Sequence, residues 1–81
     1  MPMKVQLHDV VALMEDVKAK HLLTHQPLRL GRGQIGTVVM PLNDDHFQVE
    51  FADRDGRAYA LLPLRDSQLM VLREQPEPLP A

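Results

Sequence analysis

The segment from Phe47 to Phe51, Phe-Gln-Val-Glu-Phe, constrains the fold more than any other part of this sequence. Apolar and polar residues alternate along it, and a β-strand points successive side chains to opposite faces of its sheet. Its three apolar side chains are therefore predicted to face a core, and the Gln and Glu between them to face water. The dipeptide Asp55-Gly56 follows shortly afterwards and is typical of a tight turn between antiparallel strands. These features predict an antiparallel hairpin.

Four further short apolar segments flank this strand, and each is bounded by turn-forming residues. They predict strands at residues 10–14, 35–40, 57–62 and 69–72. Pro41 and Pro63 are expected to end two of these strands, because proline has no backbone N–H to donate. Residues 65–68 are predicted to form one 3₁₀ turn. Residues 9–20 also fit an amphipathic helix capped by Asp9, so strand and helix remain alternatives there, with the strand preferred.

Five short strands joined by tight turns predict an all-β fold. The order of elements favours a small five-stranded antiparallel Src-homology-3-like barrel, with a one-turn 3₁₀ element before its last strand. We expect an N-terminal extension at residues 1–6, the barrel at 7–72 and a Pro-rich disordered tail at 73–81. The alternation predicts a core made of Val11, Leu13, Ile35, Val38, Phe47, Val49, Phe51, Tyr59, Leu61 and Leu69.

The composition restricts the class of protein. A chain of 81 residues allows one domain, and the absence of cysteine excludes disulfides, thiolate metal sites and a cysteine nucleophile. No apolar run approaches the roughly 18 residues that span a bilayer, and the first residues lack the apolar stretch of a secretory signal. We therefore expect a cytoplasmic protein with no membrane contact.

Charge is distributed unevenly along the chain. The net charge is −2, which argues against nucleic acid as a partner. Residues 1–43 carry five basic and three acidic side chains, whereas residues 44–81 carry four basic and eight acidic ones. An acidic surface attracts a basic partner protein. The candidate protein-binding residues are Asp44, Asp45, Glu50 and Asp53, with the 18–32 loop and the 43–46 turn as further contact surface.

Motifs spread over residues 7–72 resemble those of a small bacterial family classed as a domain of unknown function. The positions that carry the resemblance are Leu7, Asp9, Val11 to Leu13, Glu15-Asp16, Gly33-Gln34, Gly36 to Val39, Val49 to Phe51, Asp53, Gly56, Tyr59-Ala60 and Gln68-Leu69. The resemblance implies a shared architecture and a partner of the toxin type, with no settled activity. This sequence departs from the pattern between Lys20 and Leu28, where it is longer, and at Met40-Pro41, where a polar residue is usual.

Candidate catalytic and metal-ligating groups are weakly supported. His21, His25 and His46 lack a carboxylate placed as a further metal ligand. The acidic pairs at 44–45 and at 53 and 55 lie in runs typical of turns, where Asp accepts backbone hydrogen bonds. Ser67 has no flanking histidine motif. We therefore predict no enzyme activity, no metal and no cofactor, and a non-enzymatic protein-binding module of the antitoxin or immunity kind.

Two alternative functions remain open at the level of sequence. The Gly-rich segment 31–38 is similar to the strand-entry turn of KOW-type barrels, which contact RNA through basic residues. A ribosome- or RNA-associated barrel would use Arg29, Arg32, Arg54 and Arg57. The other alternative is a barrel that associates with itself as a homo-oligomer. We also expect Asp9 to form a partly buried ion pair with Arg32, Arg57 or Arg65.

Overall fold

The computed structural model describes residues 5–80, and nearly all of their regular structure is β-strand. The elements are β1 (Val10–Leu13), β2 (Val17–Lys20), β3 (Pro27–Leu30), β4 (Ile35–Pro41), β5 (His46–Ala52), β6 (Ala58–Arg65), a 3₁₀ turn (Asp66–Gln68) and β7 (Leu69–Val71). Five strands form one antiparallel sheet in the order β6-β5-β4-β1-β7, and β2 pairs with β3 separately. The predicted all-β class, five-stranded antiparallel sheet and 3₁₀ turn are confirmed. Residues 1–4 of the predicted extension and residue 81 of the predicted tail lie outside the described residues.

The meander of β4, β5 and β6 follows the predicted alternation. The three large apolar side chains of β5 are buried, and the polar residues between them are only half-buried on the opposite face. Gly56 has a φ of +81°, which glycine adopts without steric cost in a tight turn. The Asp53 N–H donates to the Arg57 carbonyl across this turn, at 2.9 Å. The predicted hairpin is therefore confirmed.

Strand β1 lies inside the sheet, between β4 and β7. Val11 is opposite Gly36 on one side and Val71 on the other. The helix alternative for residues 9–20 is wrong, because this segment contains β1 and β2 separated by a bend at residues 14–16. β1 pairs with a strand on each side, and this pairing and packing determine its conformation. The helical spacing of a few apolar side chains is a weaker preference.

The segment expected to be a loop from residue 18 to residue 32 contains a second hairpin instead. β2 and β3 pair in register from Val17 opposite Leu30 to Lys20 opposite Pro27. Leu30 is buried, and Val17 packs against the core from a half-buried position. The Leu22 N–H donates to the Tyr59 carbonyl at 2.9 Å, which joins this hairpin to β6.

The core differs from the predicted one at both ends of the meander. Ile35 and Leu61 are 57% and 39% exposed, so their assignment to the core is wrong, and Tyr59 is only partly buried. Leu61 lies opposite Glu50, on the face of β5 that points away from the core. The buried residues are Val5, Val11, Leu13, Leu30, Val38, Phe47, Val49, Phe51, Ala60, Leu64 and Leu69.

Two prolines differ in their effect on the strands. Pro41 ends β4 as predicted, but β6 continues past Pro63 to Arg65, so the predicted end near residue 63 is wrong. β6 is an edge strand, where proline is tolerated because one side of the backbone has no ladder partner. Residues 72–80 have no strand or helix. No helix within residues 5–80 has the length and apolar character needed to cross a membrane.

Candidate functional site

The four acidic residues predicted to bind a protein do not meet in one place. Asp44 and Asp45 lie in the turn before β5, and Asp53 lies in the turn after it. A strand rises about 3.3 Å per residue, so these turns are separated by roughly 25 Å. Glu50 lies between them on β5, half-buried and opposite Thr37 and Leu61.

The carboxylates in these turns have local hydrogen-bond partners. Asp53 Oδ1 accepts from the N–H groups of Asp55 and Arg57, at 2.9 and 3.0 Å. Asp45 Oδ1 is 2.8 Å from His46 Nδ1. These contacts fit the ordinary role of aspartate in a tight turn. A role for these residues in binding stays a prediction.

The four arginines proposed for RNA divide into two pairs. Arg29 and Arg32 flank the end of β3, whereas Arg54 and Arg57 lie in the turn between β5 and β6. Arg29 forms an ion pair with Asp16, and Asp16 Oδ1 also accepts from the Arg32 N–H at 2.8 Å. The hydrogen bond from Arg29 is the main cause that lowers the pKa of the Asp16 carboxyl and raises the pKa of Arg29. Arg29 therefore already has an anionic partner within the chain.

Asp9 does not form the expected ion pair. Within residues 5–80, Arg29 forms an ion pair with Asp16, and His46 Nδ1 contacts the Asp45 carboxylate. The Asp9 carboxylate accepts from the Gln6 N–H at 2.8 Å instead. The predicted partly buried pair of Asp9 with Arg32, Arg57 or Arg65 was therefore wrong in both partners and in its burial, because Asp9 accepts a hydrogen bond within a local turn just before β1 and the Arg29–Asp16 pair is exposed.

Histidines and carboxylates are dispersed in the same way. His21 Nδ1 accepts from the Leu23 N–H at 3.1 Å, within the turn between β2 and β3. His46 lies at the start of β5, in the other sheet. Within residues 5–80, no three His, Asp or Glu side chains are grouped so that they could hold a metal ion.

A different surface brings apolar side chains together, and the sequence analysis did not identify it. β1 buries Val11 and Leu13, so Val10 and Ala12 point to the opposite side of the sheet. In the strand register, Ala12 lies between Ile35 on β4 and Met70 on β7. One step along the sheet, the Leu72 N–H donates to the Val10 carbonyl at 2.9 Å. We call this surface the outer apolar face, formed by Val10, Ala12, Ile35, Met70 and Leu72.

The outer apolar face is well exposed. Ile35 is 57% exposed, Met70 50%, Val10 45% and Leu72 37%. Together these four residues expose at most on the order of 400 Å², backbone atoms included, which is the size of the largest apolar patch on an ordinary monomer, and such patches are often functional. The outward side chains of β5 are polar by contrast: His46, Gln48 and Glu50.

A groove shares three residues with this face, Val10, Ile35 and Leu72. Its volume is about 520 Å³, and charged side chains line it beside apolar ones. Its lining residues are His8, Asp9, Val10, Ile35, Leu72, Arg73 and Glu74. The face therefore has an apolar centre and a charged rim, as protein contact surfaces do.

The sequence does contain a signal for this surface. Residues 10–14 and 69–72 are uninterrupted apolar runs, whereas residues 47–51 alternate. A continuous apolar run is typical of a strand with apolar surroundings on both faces. Two such runs on adjacent strands indicate a sheet with apolar residues on both sides.

Comparison with known proteins gives a family. A family model described as Domain of unknown function (DUF4926) matches residues 7–71. Searches of curated proteins and of solved structures found no match. The matched segment runs from just before β1 to the end of β7 and covers most of the chain, which confirms the predicted resemblance to a family of unknown function. The protein therefore belongs to the DUF4926 family.

Proposed function

We propose that this domain is a non-enzymatic protein-binding module whose contact surface is the outer apolar face. The observation that carries the proposal is the exposure of Val10, Ile35, Met70 and Leu72 around Ala12, on one face of β4, β1 and the end of β7. Leaving this much contiguous apolar surface in water is unfavourable, and a partner that covers it recovers that free energy.

The five-stranded sheet of this module forms a Src-homology-3-like barrel in our proposal. Three features support it: the meander of β4 to β6, the long excursion between β1 and β4, and the 3₁₀ turn before the last strand. The hydrogen bond from Leu22 to Tyr59 further supports it, because it brings the excursion against the edge strand β6. A curled sheet of this kind protects its edges from pairing with other chains.

The biological setting that we propose is the bacterial cytoplasm, in an antitoxin- or immunity-like role. The acidic excess of residues 44–81 supports a basic or toxin-like partner. Asp44, Asp45 and Asp53 are exposed at two ends of the sheet, where their charge can steer such a partner during its approach. Glu50, half-buried between them, adds to this charge.

Site-specific photo-crosslinking tests the contact surface. A benzophenone amino acid replaces Met70 on the outer apolar face or, as a matched control, Leu23, which is 83% exposed at the tip of the second hairpin. We expect irradiation of cells to give a discrete protein adduct from position 70 and none of that mass from position 23. Adding Ile35→Lys should abolish the adduct. No adduct from position 70, or the same adducts from both positions, would contradict the proposed function.

A further inference from the structure

We propose that the occupant of the outer apolar face is a second copy of this chain, which packs the same face around a two-fold axis. This inference rests on the proposed function and names the partner for that surface. In such an isologous contact, one patch must complement itself in shape, area and charge.

The shape of the outer apolar face is complementary to a second copy of the same face. Ala12 lies at its centre, with the larger side chains of Ile35 and Met70 directly opposite it on the neighbouring strands. Opposed residues on one face have Cβ atoms about 5 Å apart, so the small side chain makes a depression between two ridges. A two-fold rotation places a ridge of each copy over the depression of the other, which is how the inner faces of packed sheets interdigitate.

The area reaches the lower limit for a specific dimer when both faces are completely covered. Two faces of on the order of 400 Å² each contribute at most about 800 Å² of apolar surface. Homodimer interfaces are roughly 65% apolar, so a contact that covered both faces completely would bury at most about 1,200 Å² with its polar rim. This value lies at the lower limit of specific interfaces, and most crystal contacts are smaller than about 800 Å².

The charge of the rim also complements itself. Arg73 and Glu74 are exposed next to each other, and half-buried Asp9 lines the same groove. Because the rim carries both signs, a two-fold contact can bring Arg73 of one copy to an acidic side chain of the other. A basic or toxin-like partner would in that case bind through acidic side chains outside this face. The exposed aspartates 44, 45 and 53 lie in other turns and remain accessible in the dimer.

Sedimentation velocity on the full chain, from about 1 µM to 1 mM, tests the dimer. We expect the wild type to shift from monomer towards twice the monomer mass over this range. Ile35→Lys should weaken the association at least tenfold, because it places a charge in the apolar centre of the contact. Leu23→Lys, the same kind of change at an exposed leucine away from the face, should associate like the wild type. Urea unfolding at the lowest concentration verifies that both variants fold.

The rim gives a second measurement that leaves the apolar centre intact. Arg73→Glu should weaken the dimer, and the double variant Arg73→Glu with Glu74→Arg should restore part of the loss, because it returns both signs to the rim. A wild type that stays monomeric up to about 1 mM would overturn the dimer, as would equal association of Ile35→Lys and Leu23→Lys. Equal association of the wild type and both rim variants would also overturn it. A crosslink from position 70 to a different protein, with a monomeric wild type, would overturn the dimer and leave the proposed function standing.

Discussion

The two faces of strands β4, β1 and β7 carry similar side chains in different surroundings. Val11 on the inner face has no exposed surface, whereas Val10, its neighbour on β1, is 45% exposed on the outer face. The same contrast separates Leu69 from Met70 on β7, at 7% and 50%. Each pair differs by one step along a strand, and that step reverses the direction of the side chain. The hydrophobicity of a residue therefore does not show whether it belongs to the core. The face of the sheet to which its side chain points decides this.

This comparison separates stability from function in our account. The inner face is covered by the rest of the domain, so its side chains contribute to the free energy of unfolding. The outer face has no cover among residues 5–80, so its side chains contribute to the proposed association. Substitutions on the two faces should therefore have separable effects, and the following predictions test that separation.

The largest effect is expected on the inner face, at Phe51. This residue is fully buried, and Phe51→Ala removes a large side chain from a thin core. We expect the free energy of unfolding to fall by about 3–5 kcal/mol, enough to unfold much of a domain of this size. Urea unfolding followed by circular dichroism measures this change. A loss below about 1 kcal/mol would place Phe51 outside the stabilising core.

The second prediction compares the two faces on one strand, β4. Val38→Thr buries a hydroxyl in an apolar core, which should cost about 1–3 kcal/mol of the free energy of unfolding. Ile35→Thr makes a related change on the outer face and should alter monomer stability by less than about 0.5 kcal/mol. Both variants are measured by urea unfolding at low protein concentration. Equal losses in the two variants would remove the distinction between the faces.

The third prediction concerns the close packing of β4 against β5 at Gly36. A Cβ at Gly36 would lie 2.8 Å from Val49 Cγ1 and 3.0 Å from the Glu50 carbonyl oxygen. The backbone of β5 cannot move away without disturbing the sheet. We therefore expect Gly36→Ala to lower the free energy of unfolding by about 1–3 kcal/mol, measured by thermal or urea unfolding. Gly31→Ala is the matched control, since its Cβ would have no neighbour nearer than 3.9 Å. Identical stability of the two variants would contradict the close approach.

The smallest effect is expected at Asp16, on the exposed hairpin. Its pKa in the folded protein is lowered from the usual value of 3.8, mainly by the hydrogen bond from Arg29. The ionised carboxylate therefore adds stability above the unfolded-state pKa, and this contribution is lost as the pH falls through the lower folded-state pKa. Asp16→Asn should be slightly less stable than the wild type at pH 7, with the difference shrinking in acid and in high salt. Urea unfolding at pH 7 and at about pH 2.5 checks this. A difference independent of pH would rule out the ion pair.

The sequence predicts the meander and β1 because the pattern of apolar residues and the turn-forming residues indicate the same strands. Alternation over residues 47–51 and the Asp55-Gly56 turn both indicate the same hairpin. The second hairpin escapes prediction because β2 (Val-Lys-Ala-Lys) and β3 (Pro-Leu-Arg-Leu) are not apolar runs and their connecting turn lacks glycine. His25 supplies the left-handed conformation there, with a φ of +61°, which is uncommon for a residue other than glycine.

The candidate site is harder to predict for a physical reason. Acidic residues such as Asp53 are candidates for binding because they are charged. In the structure, the Asp53 carboxylate instead accepts two backbone hydrogen bonds that stabilise a turn. The outer apolar face is assembled from three strands that are distant in sequence. Its members join one surface only through the register of the sheet. Ile35 is three positions from buried Val38 on β4, so the two side chains point to opposite faces and the prediction of both for the core is wrong. The apolar runs at 10–14 and 69–72 indicate two apolar faces without specifying which one is covered.

Methyl NMR spectra recorded during dilution test most directly whether the outer apolar face is a contact surface between copies. We predict concentration-dependent shifts or broadening for the methyl groups of Val10, Ile35, Met70 and Leu72. The buried methyls of Val38 and the exposed methyls of Leu23 should change much less, although both residues are as apolar as those on the face. Outer-face signals that stay constant over the same range, or changes centred on Leu23, would contradict the account.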